Sequence, residues 1–492
     1  MTRDGSELTL LSAEELAAGY RSGEFSPVEV TRAALAAIDR LDGKINSFVL
    51  VDPERALADA EQSARRFVAG APLGPADGIP TSIKDIFLTA GWPTRRGSSL
   101  IGAAGPWPED APAVARLREA GAVLLGKTTT PEFGWKGVTD SPACGATGNP
   151  WDPALTAGGS SGGSAAAVRL GLGAWSIGTD GGGSVRIPAA FTGTVGLKPT
   201  YGLVPLHPPS PFGTLAHAGP ITRTVRDAAL LLDQIARPDA RDWSALPAPT
   251  GSFLERIEGG VAGLRVAFSP TLGHVRNDPE VERAVRTAAG VLADAGAEVE
   301  EVDPGFADPV QAFSVLWFAG AAKVLDGYPP DALDRVDPGL RRGVEYGRTL
   351  SASDYLDATA VRMALGSRMG LLHRTHQLLI TPTLPIPAFG VGRDAPDGWP
   401  SREWTSWTPY TYPFNLTQQP ALSVPCGFTA AGLPIGLQLV GARHADALVL
   451  RAGRAYERAT AWADRRPPLL AAPGPGTPEP DPTAQDTEKE AR

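Results

Sequence analysis

From Asp77 onward the chain alternates short apolar runs with helical stretches: GIPTSI, AVLLG and AWSIGTD are separated by APAVARLREAG and SAAAVRLG. Strand-length apolar runs interleaved with helix-periodic segments predict α/β layering. The stretch ALSVPCGF, a turn at TAAGLP and then IGLQLVG read as late strands that rejoin the main sheet. Between about residues 255 and 380 the texture is helix-rich, as in DPEVERAVRTAAGVLADAGAEV. The first fifty residues read as two helices. Ser12 with Glu15, and Ser26 with Pro27 and Glu29, are capping-box starts. Residues 471–492 are Pro-rich, charged and nearly free of large apolar groups, and read as a disordered tail.

Charge and cysteine usage narrow the function classes. A net charge of −9 with no block of Lys and Arg argues against nucleic acid or an anionic membrane as partner. No apolar stretch reaches the roughly 18 residues of a membrane span. Cys144 and Cys426 stand far apart and form no CxxC, so neither a disulfide framework nor a thiolate zinc site is expected. The acidic start MTRDGSELTLLSAEEL lacks an apolar signal segment, which makes the cytoplasm the expected compartment.

Three motifs compete for the chemistry. GAVLLGKT, Gly121 to Thr128, fits the phosphate-loop pattern letter for letter, but Ala-Val-Leu-Leu between its glycines looks like strand, and Pro131 stands where a helix should run. AGGSSGGSAAAV lets both Ser160 and Ser161 satisfy the GxSxG of a nucleophile elbow, yet the preceding GNPWDPALT is too rich in proline for a central strand. None of the six histidines has local company that would complete a Ser-His-Asp triad. GTDGGGSVRIPAAFTGTVGLKPT, Gly178 to Thr200, places three glycines directly before Ser184. Glycines there let several N–H groups converge on one point, as an oxyanion hole requires. The remaining oddity is Lys84 in DGIPTSIKDIF, a lysine in an apolar segment. It is either a surface lysine or one kept neutral to act as a base.

Taken together, GIPTSIKDIF, GGSSGGSAAAV and GTDGGGSVRIPAAFTGTVGLKPT resemble the core of the amidase signature family. The resemblance extends in order through GAVLLGKTTTPEFG, GPITRTVRDAALLLD, LLITPTLP and FNLTQQPALSVPCGF, from roughly Ser26 to Trp462. It implies a single α/β/α domain over residues 1–470, with a twisted mixed sheet flanked by helices. Within it lie N-terminal helices (1–50), a catalytic core (about 77–235), a helix-rich substrate-side segment (about 255–380) and C-terminal strands and helix (about 414–462). By resemblance Lys84 is the catalytic lysine, Ser160 the bridging serine in a cis peptide, and Ser184 the acyl-forming nucleophile. The N–H groups of Gly181, Gly182, Gly183 and Ser184 are the oxyanion candidates. Ser161 and Asp180 are expected to orient the turns, and Arg186 to add positive charge if it faces Lys84. No metal or organic cofactor is implied. Gln418 stands where the family usually has glycine.

The implied activity is hydrolysis of a carboxylic amide through an acyl-serine. The alternative is the A subunit of the tRNA-dependent glutamine amidotransferase, which works in a complex. That protein typically carries a segment like SLDQIGP where this chain reads TLAHAGP. Aromatic residues cluster in FSVLWFAG and WPSREWTSWTPYTYPF. Trp317, Phe318 and Trp407, with Gln418, are therefore expected to line a pocket for a hydrophobic or aryl amide. The expected partner is that small molecule, with a homodimer left open.

Overall fold

The computed structural model describes residues 5–471, so nearly all of the expected tail lies outside the described residues. The strands among them, in chain order, are β1 (Phe48–Val51), β2 (Pro80–Lys84), β3 (Val123–Thr128), β4 (Asp140–Ser141), β5 (Gly145–Ala146), β6 (Trp175–Asp180), β7 (Val195–Lys198), β8 (His217–Thr222), β9 (Arg265–Phe268), β10 (Glu298–Glu301), β11 (Leu378–Pro382), β12 (Ala421–Phe428) and β13 (Pro434–Gly441). Eleven of them form one sheet in the order β1-β3-β2-β6-β8-β7-β12-β13-β11-β9-β10, and β4 and β5 form a small separate ribbon. The sheet is mixed. β3, β2 and β6 run parallel, as do β11, β9 and β10, and the strands between these groups are antiparallel.

Both faces are covered by apolar packing, and the period of two along the strands shows how. Val266 and Phe268 of β9 join one core cluster and Ala267 the other; Leu378 and Ile380 of β11 face one way and Leu379 the opposite way. One cluster takes in Leu16, Leu117, Leu231, Val285 and Leu450 from helices, while the second takes in Phe313, Trp317, Leu340, Leu365 and Trp407. This is the three-layer α/β architecture that the alternating runs predict.

Both expected capping boxes form. Ser12 Oγ accepts from the Glu15 N–H and the Glu15 carboxylate accepts from the Ser12 N–H at 2.8 Å, starting the helix Ala13–Ser22. Ser26 and Glu29 repeat the arrangement ahead of the helix Pro27–Ile45. Each such cap stabilises by about 1 kcal/mol. Two segments depart from expectation. The first fifty residues already contain most of β1, and the helix-rich middle contributes β9 and β10 to the sheet. β10, Glu-Val-Glu-Glu, is an edge strand, where charge is tolerated because one side meets water, so its sequence carries no strand signal.

The topology sets the position of the chemistry. β2 and β6 are parallel neighbours with Ile83 opposite Ile177. Lys84 therefore emerges beside Thr179 and Asp180, at the carboxyl ends of adjacent parallel strands, the usual crevice for ligands in such sheets.

Candidate active site

Lys84 ends β2 with its side chain fully buried. Its Nζ lies 2.7 Å from Ser160 Oγ, 2.9 Å from Ser161 Oγ and 2.8 Å from Thr179 Oγ1. The Ser161 hydroxyl donates to the Thr179 carbonyl at 3.2 Å, so its oxygen is left to accept from the lysine. A neutral amine has two N–H donors and one lone pair. Were those two donors directed to Ser161 and Thr179, the lone pair would face the Ser160 hydroxyl. Burial pushes the Lys84 ammonium well below the usual lysine range, and the charge of Asp180 opposes that only in part. Of the two readings of this lysine, the surface one is excluded, because the side chain is fully buried.

Ser160 and Ser161 sit in the loop that enters the helix Gly162–Arg169. The Gly159–Ser160 peptide bond is cis, as the resemblance implies. A Cβ at Gly159 would lie 2.4 Å from the Val138 carbonyl carbon, so only glycine fits against that backbone. The residues before Ser160 are loop, not the strand that a nucleophile elbow requires.

Ser184 follows the glycine turn at the end of β6 and opens on the same cavity as Ser160. Asp180, fully buried, organises that turn. Its carboxylate accepts from the Gly183 N–H at 2.8 Å, the Val185 N–H at 3.2 Å and both Nε and Nη2 of Arg186 at 2.9 Å. Burial alone would raise this carboxyl, but the Arg186 guanidinium, helped by Lys198 and Asn415, holds it well below the usual carboxylate range. Arg186 is thus the partner of Asp180 and does not supply the positive charge expected beside Lys84. The Gly183 N–H is likewise engaged by Asp180, which corrects the expectation that it helps to hold an oxyanion. Among the described residues the N–H groups of Gly181, Gly182 and Ser184 have no such partner. The glycines also admit close packing: a Cβ at Gly181 would lie 2.7 Å from the Trp317 ring, and one at Gly182 would lie 2.7 Å from Phe313 and Trp404.

Above these groups lies a cavity of about 290 Å³ with Ser160, Thr179 and Ser184 at its foot. Phe133, Phe212, Trp317 and Tyr328 supply its aromatic walls, with Phe212 and Trp317 stacked at 3.9 Å between ring centroids. Of the four expected pocket residues only Trp317 lines it. Phe318, the next residue on the helix Val310–Leu325, points about 100° away and meets Tyr346 edge-on. Trp407 is fully buried, stacks on Phe191 and donates its indole N–H to the Asp394 carbonyl. Gln418 has φ +64°, the left-handed region in which glycine is at home, and its side chain turns toward Thr214. Phe133, Phe212, Tyr328, Thr179 and Arg96 were not expected. Phe212 lies in the proline-rich LHPPSPF loop, and Thr179 and Phe133 lie in the motif stretches GTDGGGSVRIP and GKTTTPEFG, but Arg96 and Tyr328 carry no local sequence signal.

The glycine-lysine run that fits a phosphate loop is the strand β3. Lys127 is buried within it and donates to the Phe87 carbonyl and Thr94 Oγ1, both at 2.8 Å. Burial, only partly countered by Asp85, lowers its ammonium to about 8. Among the described residues there is no cluster of His, Cys, Asp and Glu able to hold a metal, and no helix long and apolar enough to cross a membrane.

The model of the Amidase family matches residues 29–450. An acylamidase of Rhodococcus erythropolis is 39% identical over 463 residues, 93% of this chain and 97% of that protein. The A subunit of the glutamyl-tRNA(Gln) amidotransferase of Myxococcus xanthus is 40% identical over 499 residues, 94% of this chain and all of that one. Among solved structures, a bacterial aryl acylamidase of the amidase signature enzymes superposes with a TM-score of 0.86 at 30% identity, covering 93% of this chain and 98% of its own.

Proposed function

We propose, from the premise that this chain belongs to the amidase signature family and is an amidase, that it works through a Lys84–Ser160–Ser184 relay on amides with an aryl or apolar part. The observation that carries the relay is the Lys84 amine, buried, flanked by three hydroxyls and adjoining the cavity that holds Ser184. Neutral Lys84 accepts the Ser160 proton as Ser160 accepts that of Ser184. Ser184 Oγ attacks the amide carbonyl, and the N–H groups of Gly181, Gly182 and Ser184 receive the oxyanion, each worth up to about 3 to 4 kcal/mol. Ser160 then protonates the departing nitrogen, the C–N bond breaks, and an ester remains on Ser184. Water, deprotonated by the same pair, releases the acid.

The aromatic walls support an apolar or aryl substrate, since ring faces bind by burial and stacking. Similarity to the amidotransferase chain favours a second reading, release of ammonia from glutamine. Glutamine carries an α-ammonium group, and among the described residues no aspartate or glutamate lines the cavity to receive it. The deciding measurement is kcat/KM for acetanilide against glutamine. Preference for the anilide is expected; a clear preference for glutamine would replace this reading with the second.

A further inference from the structure

The cavity contains an arginine whose charge no carboxylate among the described residues answers. Arg96 lines it and makes no side-chain hydrogen bond or ion pair there. The other two basic side chains of the lining are compensated: Lys323 pairs with Asp326 at 3.0 Å, and His207 faces Glu109 at 3.7 Å.

The backbone at Arg96 is unusual in a way that sets this side chain apart. Arg96 and Gly97 have φ of +54° and +65°, and the Ser98 N–H donates to the Arg95 carbonyl at 3.0 Å. This is the pattern of a type I′ turn, whose first central position favours Asn, Asp or Gly. Any other residue there is held in strained backbone. The turn is clamped from outside. The Gly97 N–H donates to the Asp85 carboxylate at 3.4 Å, Ser98 Oγ donates to Glu132 at 2.8 Å, and the Arg96 carbonyl accepts from the Phe133 N–H at 2.7 Å. Nothing in the turn itself calls for a guanidinium.

The location of Arg96 relative to the serines follows from its neighbours. Phe133, bonded to it, leads into Gly134, where a Cβ would lie 3.3 Å from Ser160 Oγ. Tyr328, 6.1 Å from Phe133 between ring centroids, feels the Arg96 charge, which partly offsets the burial that raises its phenol. Arg96, Phe133 and Tyr328 thus form one wall of the cavity, which reaches Ser160 through Gly134, and Trp317 covers the glycine turn. The departing nitrogen is protonated at Ser160, so the amine part of the substrate lies along the arginine wall.

We propose that Arg96 is a specificity-determining residue that pairs with a carboxylate on the amine part of the substrate. A planar guanidinium held in a partly dry cavity matches a carboxylate in a bidentate, charge-assisted fashion. The proposal rests on the aryl-amide reading and on Ser160 as the proton donor to the leaving group.

The test compares 4-acetamidobenzoate with acetanilide in the wild type, Arg96→Asn and Arg96→Lys. Asparagine suits the turn and removes the charge, so the backbone is kept. Arg96→Asn should lower kcat/KM for the benzoate about 10- to 100-fold, the range of a charge-assisted bond, and leave acetanilide within about threefold. Arg96→Lys should retain part of the preference. KM of the wild type for the benzoate should rise with salt, and KM for acetanilide should not. Equal losses on both substrates, or no loss on the benzoate, would overturn the proposal. So would an equal loss on succinanilic acid, which carries its carboxylate on the acyl side. If Arg96→Asn lacks a cooperative thermal transition, the salt response of the wild type decides: a salt-independent KM for the benzoate overturns the pairing. Failure of the wild type to hydrolyse acetanilide while it hydrolyses the benzoate would leave the pairing supported; failure on both removes the aryl-amide reading and the pairing with it.

Discussion

Lys84 Nζ and Ser160 Oγ lie 2.7 Å apart although 76 positions separate the two residues in the chain. The contact is made inside the protein, with neither side chain more than 1% exposed. A charged amine there would be poorly solvated, which favours the neutral form.

Ser184→Ala should lower kcat by about 10⁴-fold or more while leaving the thermal transition in place, since the three groups act as a unit. Lys84→Ala should lose activity to a similar extent. A fluorophosphonate probe should attach to Ser184, read by peptide mass spectrometry. Attachment to Ser161 would instead favour a nucleophile elbow.

The pH profile of kcat/KM should rise as Lys84 loses its proton, because only the neutral amine can accept one. Burial lowers its pKa, so the rise should fall below the value near 10.4 of a free lysine. A rate that stays flat from about pH 5 to 9 would argue against Lys84 as the base. Stability has a linked signature. The folded state holds fewer protons at Lys84 than the unfolded chain, so wild-type stability gains as pH rises toward about 10.4. The urea stability of Lys84→Met relative to wild type should accordingly decline over that rise.

Asp180→Asn should destabilise the fold by about 3 to 5 kcal/mol at neutral pH, because it leaves the Arg186 guanidinium buried without its counter-charge. The folded carboxyl is held below its unfolded value, so its contribution is full above about pH 4 and fades as pH falls further. The gap between variant and wild type in urea unfolding should narrow on that acid side. Any residual activity should have its rising limb at lower pH than wild type, since Asp180 holds the Lys84 pKa up.

Trp317→Ala should weaken anilides selectively relative to a small aliphatic amide, for Trp317 lines the cavity. Trp407→Ala should instead cost about 3 to 5 kcal/mol of stability and change all substrates by a similar factor, as a buried ring in the core does. Selective loss of anilides in Trp407→Ala would return that residue to the substrate pocket.

Features that depend on near neighbours in the chain are legible in the sequence. The two N-terminal capping boxes, the strand within GAVLLGKT and the serines in their glycine-rich turns are all set by residues a few positions apart, and the structure has them. The motifs likewise marked Lys84, Ser160 and Ser184, and the fold brings the first two into contact and opens the last two on one cavity. Packing between distant segments sets which aromatic rings line the cavity. The apolar character of Trp317, Phe318 and Trp407 predicts burial, but burial in a core and burial in a pocket wall have the same sequence pattern. Phe133, Phe212 and Tyr328 reach the cavity from three separate segments, and their meeting is fixed by packing across the chain. The same holds for the Gly183 N–H, which Asp180 takes, and for Lys84. The pKa of that lysine is set by how completely distant parts of the chain exclude water from around it, a quantity that no local stretch of sequence contains.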